Sequence, residues 1–360
     1  FLPKQLKSPI IDLPTYILPS RNSLLTLTPR RYSSFCCFCH RKMADDRAQR
    51  AESFFLKYIA HLERHRVDET TVTDLKKAMQ NLLVGISGTS TASGFPGMQP
   101  ASLDATNMQE LARKRSDYFV CEKTDGVRYL LLLYGGATFF IDRHYRFYRV
   151  PDAPSAPGST PVSGAPIPTM FLNATKQLTV LNPAPPAEPR MTLLDGELTG
   201  EWTEPPSITY YIFDCILVAG RSVHSLTLSD RLKLALNCVV FPQSIPNLAP
   251  KPGAFKIMMK EMFRLSTPGV TDFLLNRVIG QLQHENDGLI FTPNTMTYRA
   301  GTTLKILKWK PKHLNSIDFM LQLCYRGKDP SPRYTINLLE QNSRTRKQFV
   351  DWIEPPAAFA

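Results

Sequence analysis

A chain of 360 residues with 43% apolar content is long enough for two domains, and no apolar run in it is long enough to span a bilayer as a helix. The formal charge of +12 favours a polyanionic partner or substrate, such as nucleic acid or a nucleoside triphosphate. Seven cysteines, three of them bunched as Cys36-Cys37-x-Cys39-His40, form no paired framework of the kind a secreted disulfide scaffold needs, so a reducing compartment is expected.

Residues 1–42 hold seven Lys/Arg against the single acid Asp12, so they supply +6, half of the total charge. They are expected to be disordered, either as an organelle-targeting leader or as a non-native extension upstream of a start at Met43. The Cys-Cys-x-Cys-His run lacks the two spaced ligand pairs of zinc modules. Residues 43–104 read as a helical segment followed by a linker. Phe54, Phe55, Tyr58, Ile59 and Leu62, then Leu75, Met79, Leu82 and Leu83, recur at helical spacing, and residues 85–97 are rich in Gly, Ser and Thr. A further helix is expected over residues 103–116. Asp104 lies at its N-terminal end and Arg113, Lys114 and Arg115 at its C-terminal end, as the helix dipole favours.

The stretch Val120-Cys121-Glu122-Lys123-Thr124-Asp125-Gly126-Val127-Arg128-Tyr129 follows, and residues 130–133 are a leucine run. That order predicts a strand, a tight turn at Gly126 and a second, buried strand, with Lys123 and Asp125 on one face because side chains alternate. A lysine beside a carboxylate and a guanidinium suits covalent phosphoryl chemistry, since neighbouring cations make its amine a better nucleophile. Gly135-Gly136 signals a hairpin into a strand over 137–141, and another strand covers 147–150. Residues 151–190 hold ten of the thirty prolines and read as a surface insertion. Strands resume at 191–198 and 208–217. An amphipathic helix is expected over 226–237 with Ser229 or Asp230 near its start, and another over 270–283. Apolar strands at 288–291 and 303–309 precede three short strand candidates near residues 317–324, 334–339 and 349–352.

Charged residues cluster at the ends of these strands: Lys123, Asp125, Arg128, Arg143, Glu197, Asp287, Lys308 and Lys310. Together they offer a nucleophile, carboxylates for a metal and cations for phosphates. Lys308 and Lys310 flank Trp309, so both ammonium groups share one face. Cys215 and Arg221 have the Cys-x5-Arg spacing of cysteine phosphatases, but the residues between them read as a buried strand and Asp214 would disfavour a thiolate.

Five segments in order, Lys123-Thr124-Asp125-Gly126-Val127-Arg128, Phe140-Ile141-Asp142-Arg143, Leu194-Asp195-Gly196-Glu197, Asp287-Gly288-Leu289-Ile290-Phe291 and Leu307-Lys308-Trp309-Lys310-Pro311, resemble the successive motifs of eukaryotic mRNA capping enzymes, the GTP:RNA guanylyltransferases. The resemblance covers roughly residues 105–325. It implies an α+β fold in which a nucleotidyltransferase domain of two antiparallel sheets flanks a nucleotide cleft over residues 105–312, with an incomplete OB-like β domain over 313–360. It further implies that Lys123 attacks the α-phosphate of GTP and carries GMP to a 5′-diphosphate RNA end, with Mg²⁺ or Mn²⁺ held by Asp287. By the same resemblance Asp125 belongs to the nucleotide-binding set, Arg128 and Arg143 contact phosphate, ribose or RNA, and Glu197 binds the ribose hydroxyls. Ile290 packs on guanine, Lys308 and Lys310 clamp the phosphates, and Asp318 acts near them when the domains close. For guanine selection Lys260 is favoured over Lys256, because an ammonium donates to a carbonyl oxygen but meets the amino group of adenine. A separate RNA triphosphatase, the phosphorylated C-terminal domain of RNA polymerase II and a nuclear location are implied, with no membrane. ATP-dependent polynucleotide ligases share the Lys-x-Asp-Gly core and form one rival reading. A non-catalytic RNA-binding paralogue forms the other.

Overall fold

The computed structural model describes residues 34–80, 82, 83, 86, 95–150, 170–172, 178–180, 190–243, 255–314, 319–325, 332–339 and 347–353. Two units divide at Trp309, Phe1–Trp309 and Lys310–Ala360. In the first, helices α1 (Ser34–Glu63) and α2 (Glu69–Gln80) lead to strand β1 (Met98–Ser102) and helix α3 (Ala105–Arg113). Then come β2 (Tyr118–Thr124), β3 (Val127–Tyr134), β4 (Ala137–Ile141), β5 (Phe147–Arg149) and a small hairpin, β6 (Met170–Leu172) with β7 (Leu178–Val180). The long strands β8 (Thr192–Glu201) and β9 (Ser207–Val218) and the short β10 (Arg221–Ser222) precede helix α4 (Leu228–Ala235). The unit finishes with β11 (Lys256–Met259), β12 (Phe263–Arg264), β13 (Asn286–Pro293) and β14 (Gly301–Trp309).

One sheet runs β10-β9-β8-β3-β4-β5 with β11 beside β9, and the other runs β1-β14-β13-β2-β12. Both are antiparallel except for one pairing each: β11 lies parallel to β9, and β1 parallel to β14. The tight link at Asp125-Gly126 therefore joins strands of different sheets rather than closing a hairpin. Gly126 is required by proximity, since a Cβ there would lie 2.5 Å from the Leu198 carbonyl oxygen. At Gly135-Gly136 the expected hairpin forms, with φ of 58° and 75° that other residues rarely adopt.

Alternation on β3 builds the interior. Tyr129, Leu131 and Leu133 face α1 and pack with Leu62, Leu194 and Tyr210, whereas Leu130 and Leu132 face the other sheet and pack with Met98, Tyr298 and Ile306. A third cluster on the far face of the second sheet joins Val120, Phe291 and Leu307 to Leu111 of α3. The layers are thus helix, sheet, sheet, helix.

Capping differs from expectation in detail. Asp104 caps α3 through the amides of Thr106 and Asn107, while Asn107 bonds back to the Asp104 amide. Helix α4 is capped by Thr227, ahead of the expected Ser229 or Asp230, with the Asp230 amide donating to its hydroxyl. The expected helix over 270–283 is a single turn, Val270–Phe273, that widens and then tightens over the residues after it. Most of residues 1–42 and of the Pro-rich insertion lie outside the described residues, although α1 begins at Ser34. In the second unit β15 (Phe319–Tyr325), β16 (Pro332–Leu339) and β17 (Lys347–Ile353) form an antiparallel three-stranded sheet, the three strands expected from the sequence.

Candidate active site

Where the apolar packing between the two sheets stops, a cleft of about 800 Å³, open mouth included, begins. It is lined from the first sheet by Arg128, Asp195, Glu197 and Phe213, and from the second by Lys123, Ile290, Thr292 and Ile306, with Lys260 also lining it and Arg143 at its exposed edge. β12 pairs only with Phe119 and Val120, so the far end of β2 is uncovered on that side. Side chains from both faces of β2 consequently reach the cleft: Cys121 and Lys123 from one, Glu122 and Thr124 from the other.

Lys123 Nζ lies 2.5 Å from Asp287 Oδ1, across the irregular register at the start of the β2–β13 pairing. Both side chains retain some exposure, 22% and 11%, and Lys123 lines the cleft, so the amine is reachable and the carboxylate can accept its proton. Arg128 is buried and forms a bidentate pair with Asp195, 2.9 Å from Nε and 2.6 Å from the second guanidinium nitrogen. The Tyr298 hydroxyl donates to the same carboxylate at 2.5 Å, and the rings of Phe95 and Phe213 cover the guanidinium at 5.5 and 5.3 Å. Two of its five N–H donors are thereby given to Asp195, and the guanidinium lines the cleft. Arg143 is exposed at the cleft edge, on the turn that Asp142 braces by accepting from the His144 and Arg146 amides at 2.9 Å each.

Glu197 lies opposite Arg128 in the β3–β8 register. Burial pushes its carboxyl up to about 7, in spite of Lys260, Arg128, Arg143 and Lys123 nearby. Lys260 is buried and donates to Glu122 Oε1 and to the Thr124 hydroxyl, with its Nζ 5.6 Å above the Tyr211 ring. Burial works to raise the Glu122 carboxyl, but Lys260 and His284 outweigh it and hold it at about 2. Lys256, the rival for base reading, is exposed outside the cleft and donates to the Ser207 hydroxyl at 3.2 Å.

Ile290 lies between Cys121 and Lys308 in neighbouring strands and contributes the apolar floor. Lys308 shares the parity of Ile306 on β14 and so the cleft-facing side of that strand. Lys310 begins the second unit, Asp125 is exposed with its amide bonded to the Glu285 carbonyl, and Asp318 lies outside the described residues. No cluster of three or more His, Cys, Asp or Glu occurs among the described residues. Asp287 alone fits a hard cation whose remaining ligands are water and substrate phosphate. The phosphatase-like pair is closed off: Cys215 is fully buried, with burial and Asp214 pushing its thiol well up, and Arg221 sits on the exposed β10.

Sequence reasoning assigned no role to Glu122, Thr124, Asp195, His284 or Tyr298. Asp195 was within reach, because it precedes Glu197 by two on a strand and must share its face. Nothing local to His284 or Tyr298 points to the cleft.

Two facing sheets, a lysine on the inner strand of one and a carboxylate in contact with it define the catalytic domain of a nucleotidyltransferase. The family model described as mRNA capping enzyme, catalytic domain, matches residues 62–312, and the chain belongs to that family. It is 33% identical over 271 residues to the mRNA-capping enzyme subunit alpha of Saccharomyces cerevisiae, covering 69% of this chain and 52% of that protein. Against the subunit of the same description from Schizosaccharomyces pombe it is 32% identical over 257 residues, 69% of this chain and 58% of the relative. The chain thus spans a little over half the length of these two curated relatives. Among solved structures, the ligase domain of M. tuberculosis LigD aligns with 72% of this chain and 71% of its own at 14% identity and a TM-score of 0.32.

Proposed function

We propose that the domain is an mRNA guanylyltransferase, which moves GMP from GTP to the 5′-diphosphate end of RNA through a lysyl-GMP intermediate. The observation that carries this is Lys123, reachable in the cleft and touching Asp287. In the first step the Nζ–P bond forms at the α-phosphate, the bond to the β-phosphate oxygen breaks, and pyrophosphate leaves. Asp287 Oδ1 is placed to take the ammonium proton and pass it to solvent, which returns the carboxylate to its ionised form. In the second, a β-phosphate oxygen of the RNA end attacks and the Nζ–P bond breaks. Arg143 and Lys308 serve the phosphates, Glu197 the ribose hydroxyls, Ile290 one face of the base and Lys260 its carbonyl edge. A divalent cation, Mg²⁺ or Mn²⁺, would be held by Asp287 and would offset charge on the transferring phosphate. We further propose a nuclear enzyme acting after a separate RNA triphosphatase, on transcripts held by phosphorylated RNA polymerase II.

Incubation with α-labelled GTP and a divalent cation should leave label on the denatured chain, and Lys123→Ala should abolish it. Label that survives Lys123→Ala, or label from ATP alone, overturns the proposal.

A further inference from the structure

Glu122 is buried deep in the wall of the cleft, accepts from three separate groups and plays no part in the chemistry described above. Lys260 donates to its Oε1, the Thr124 hydroxyl donates to the same oxygen at 3.0 Å, and His284 Nε2 lies 3.1 Å from it. Glu122, Lys260 and His284 are 6%, 6% and 2% exposed, so water screens none of these contacts. An ionised carboxylate only accepts, which makes His284 Nε2 the donor of the imidazole. His284 Nδ1 has no hydrogen-bond partner among the described residues.

Counting hydrogens gives the consequence. The single hydrogen of Thr124 is committed to Glu122, so its oxygen accepts from Lys260 and has nothing to donate to a ligand. Lys260 has three N–H donors, of which Glu122 and Thr124 take two. One donor is left over from these two hydrogen bonds, on an ammonium that lines the cleft.

We infer that Glu122, anchored by His284, is the positioning residue for base selection: it fixes the orientation of Lys260 so that a single N–H faces the six-position of a bound purine. An ammonium meets a 6-oxo group with a hydrogen bond and a 6-amino group with a donor against a donor. This rests on the guanylyltransferase reading and assigns its selectivity to a residue one position before the nucleophile and on the opposite face of β2.

The test is the ratio of GTP to ATP labelling in the parent and in Glu122→Gln, with KM and maximal rate measured separately. The parent should label with GTP and with inosine triphosphate, which shares the 6-oxo group, and poorly with ATP. In Glu122→Gln the GTP:ATP ratio should fall at least tenfold, through KM for GTP, with the maximal rate within about threefold. A merely structural role lowers the active fraction for both nucleotides and leaves the ratio alone. An unchanged ratio in folded Glu122→Gln overturns the inference. If that variant does not fold, His284→Gln, which keeps a donor near the Nε2 position, should retain the ratio while His284→Ala lowers it. Equal ratios in the two His284 variants overturn the inference as well. A parent that no nucleotide labels fails the guanylyltransferase reading itself, and the inference falls with it.

Discussion

Glu197→Gln tests the electrostatics of the cleft without relying on any bound ligand. Burial pushes the Glu197 carboxyl from 4.5 up to about 7, so the folded protein binds a proton there that the unfolded chain has already released. Between those two values stability falls as pH rises. The contribution is intact below about 4.5 and is lost by the time pH has passed about 7. At about 1.36 kcal/mol per pH unit the full interval is worth about 3 kcal/mol. The side chain is partly exposed to the cleft, and solvent screening brings the expected value to about 1–2 kcal/mol. A glutamine keeps the shape and carries no charge to desolvate. Urea unfolding at pH 4.5, 6 and 8 should therefore show the variant close to the parent at the lowest pH and more stable by about 1–2 kcal/mol at the highest. GTP labelling by the variant should drop most at pH 8, where the parent carboxyl is ionised and the ribose hydroxyls lose a charged acceptor. A variant whose stability relative to the parent is the same at pH 4.5 and pH 8 refutes the reasoning.

Gly196→Ala should cost at least about 1–3 kcal/mol, because a Cβ there would lie 2.5 Å from the Tyr211 carbonyl oxygen and 2.6 Å from Cζ of Tyr210. The Tyr210 hydroxyl is bonded to two backbone carbonyls, at 2.9 and 3.3 Å, and the ring cannot withdraw. A urea midpoint equal to the parent's would refute it. Arg231→Met should cost about 3–5 kcal/mol by leaving Asp214 buried without its bidentate partner, now at 2.6 and 2.9 Å, and Asp214→Leu in the same chain should recover most of that loss. Lys256→Ala should leave GTP labelling and its preference over ATP within about twofold, and a lost preference would move base reading outside the cleft.

The order of the strands and the identity of the charged segments were legible because each strand-end cluster is local in sequence. Lys123, Glu197, Asp287 and Lys308 each sit beside a run of alternating or continuous apolar residues, and that pattern locates a strand end. The segment after Gly126 illustrates what was hidden. Sequence suggests a turn glycine, but the requirement is the approach of the Leu198 carbonyl from β8, seventy-two positions later in the chain. Arg128 presents the same difficulty. Its charge and position suggest a contact to phosphate, ribose or RNA, but not its pairing with Asp195, a carboxylate that Tyr298 also holds and whose place depends on both sheets being assembled. Parallel pairings such as β11 with β9 were unreadable for a related reason, since nothing in four residues of strand specifies its direction against a neighbour.

Net charge was the least transferable of the sequence signals. Half of the +12 resides in residues 1–42, and the charged side chains lining the cleft are four cations, Lys123, Arg128, Arg143 and Lys260, against four acids, Glu122, Asp195, Glu197 and Asp214. Three of those acids are paired: Glu122 with Lys260, Asp195 with Arg128 and Asp214 with Arg231. A nearly balanced cleft does not draw in a triphosphate by field strength alone. Under the proposed reaction its attraction for the nucleotide would come from pair exchange, with Lys123 passing from Asp287 to the α-phosphate and Asp287 turning to a cation. In that exchange the Lys123–Asp287 contact would open, while the buried pairs of Arg128 with Asp195 and Lys260 with Glu122 line the cleft. That contact is also the more solvent-accessible one, which lets it switch partners without the desolvation cost that holds the Arg128 and Lys260 pairs shut.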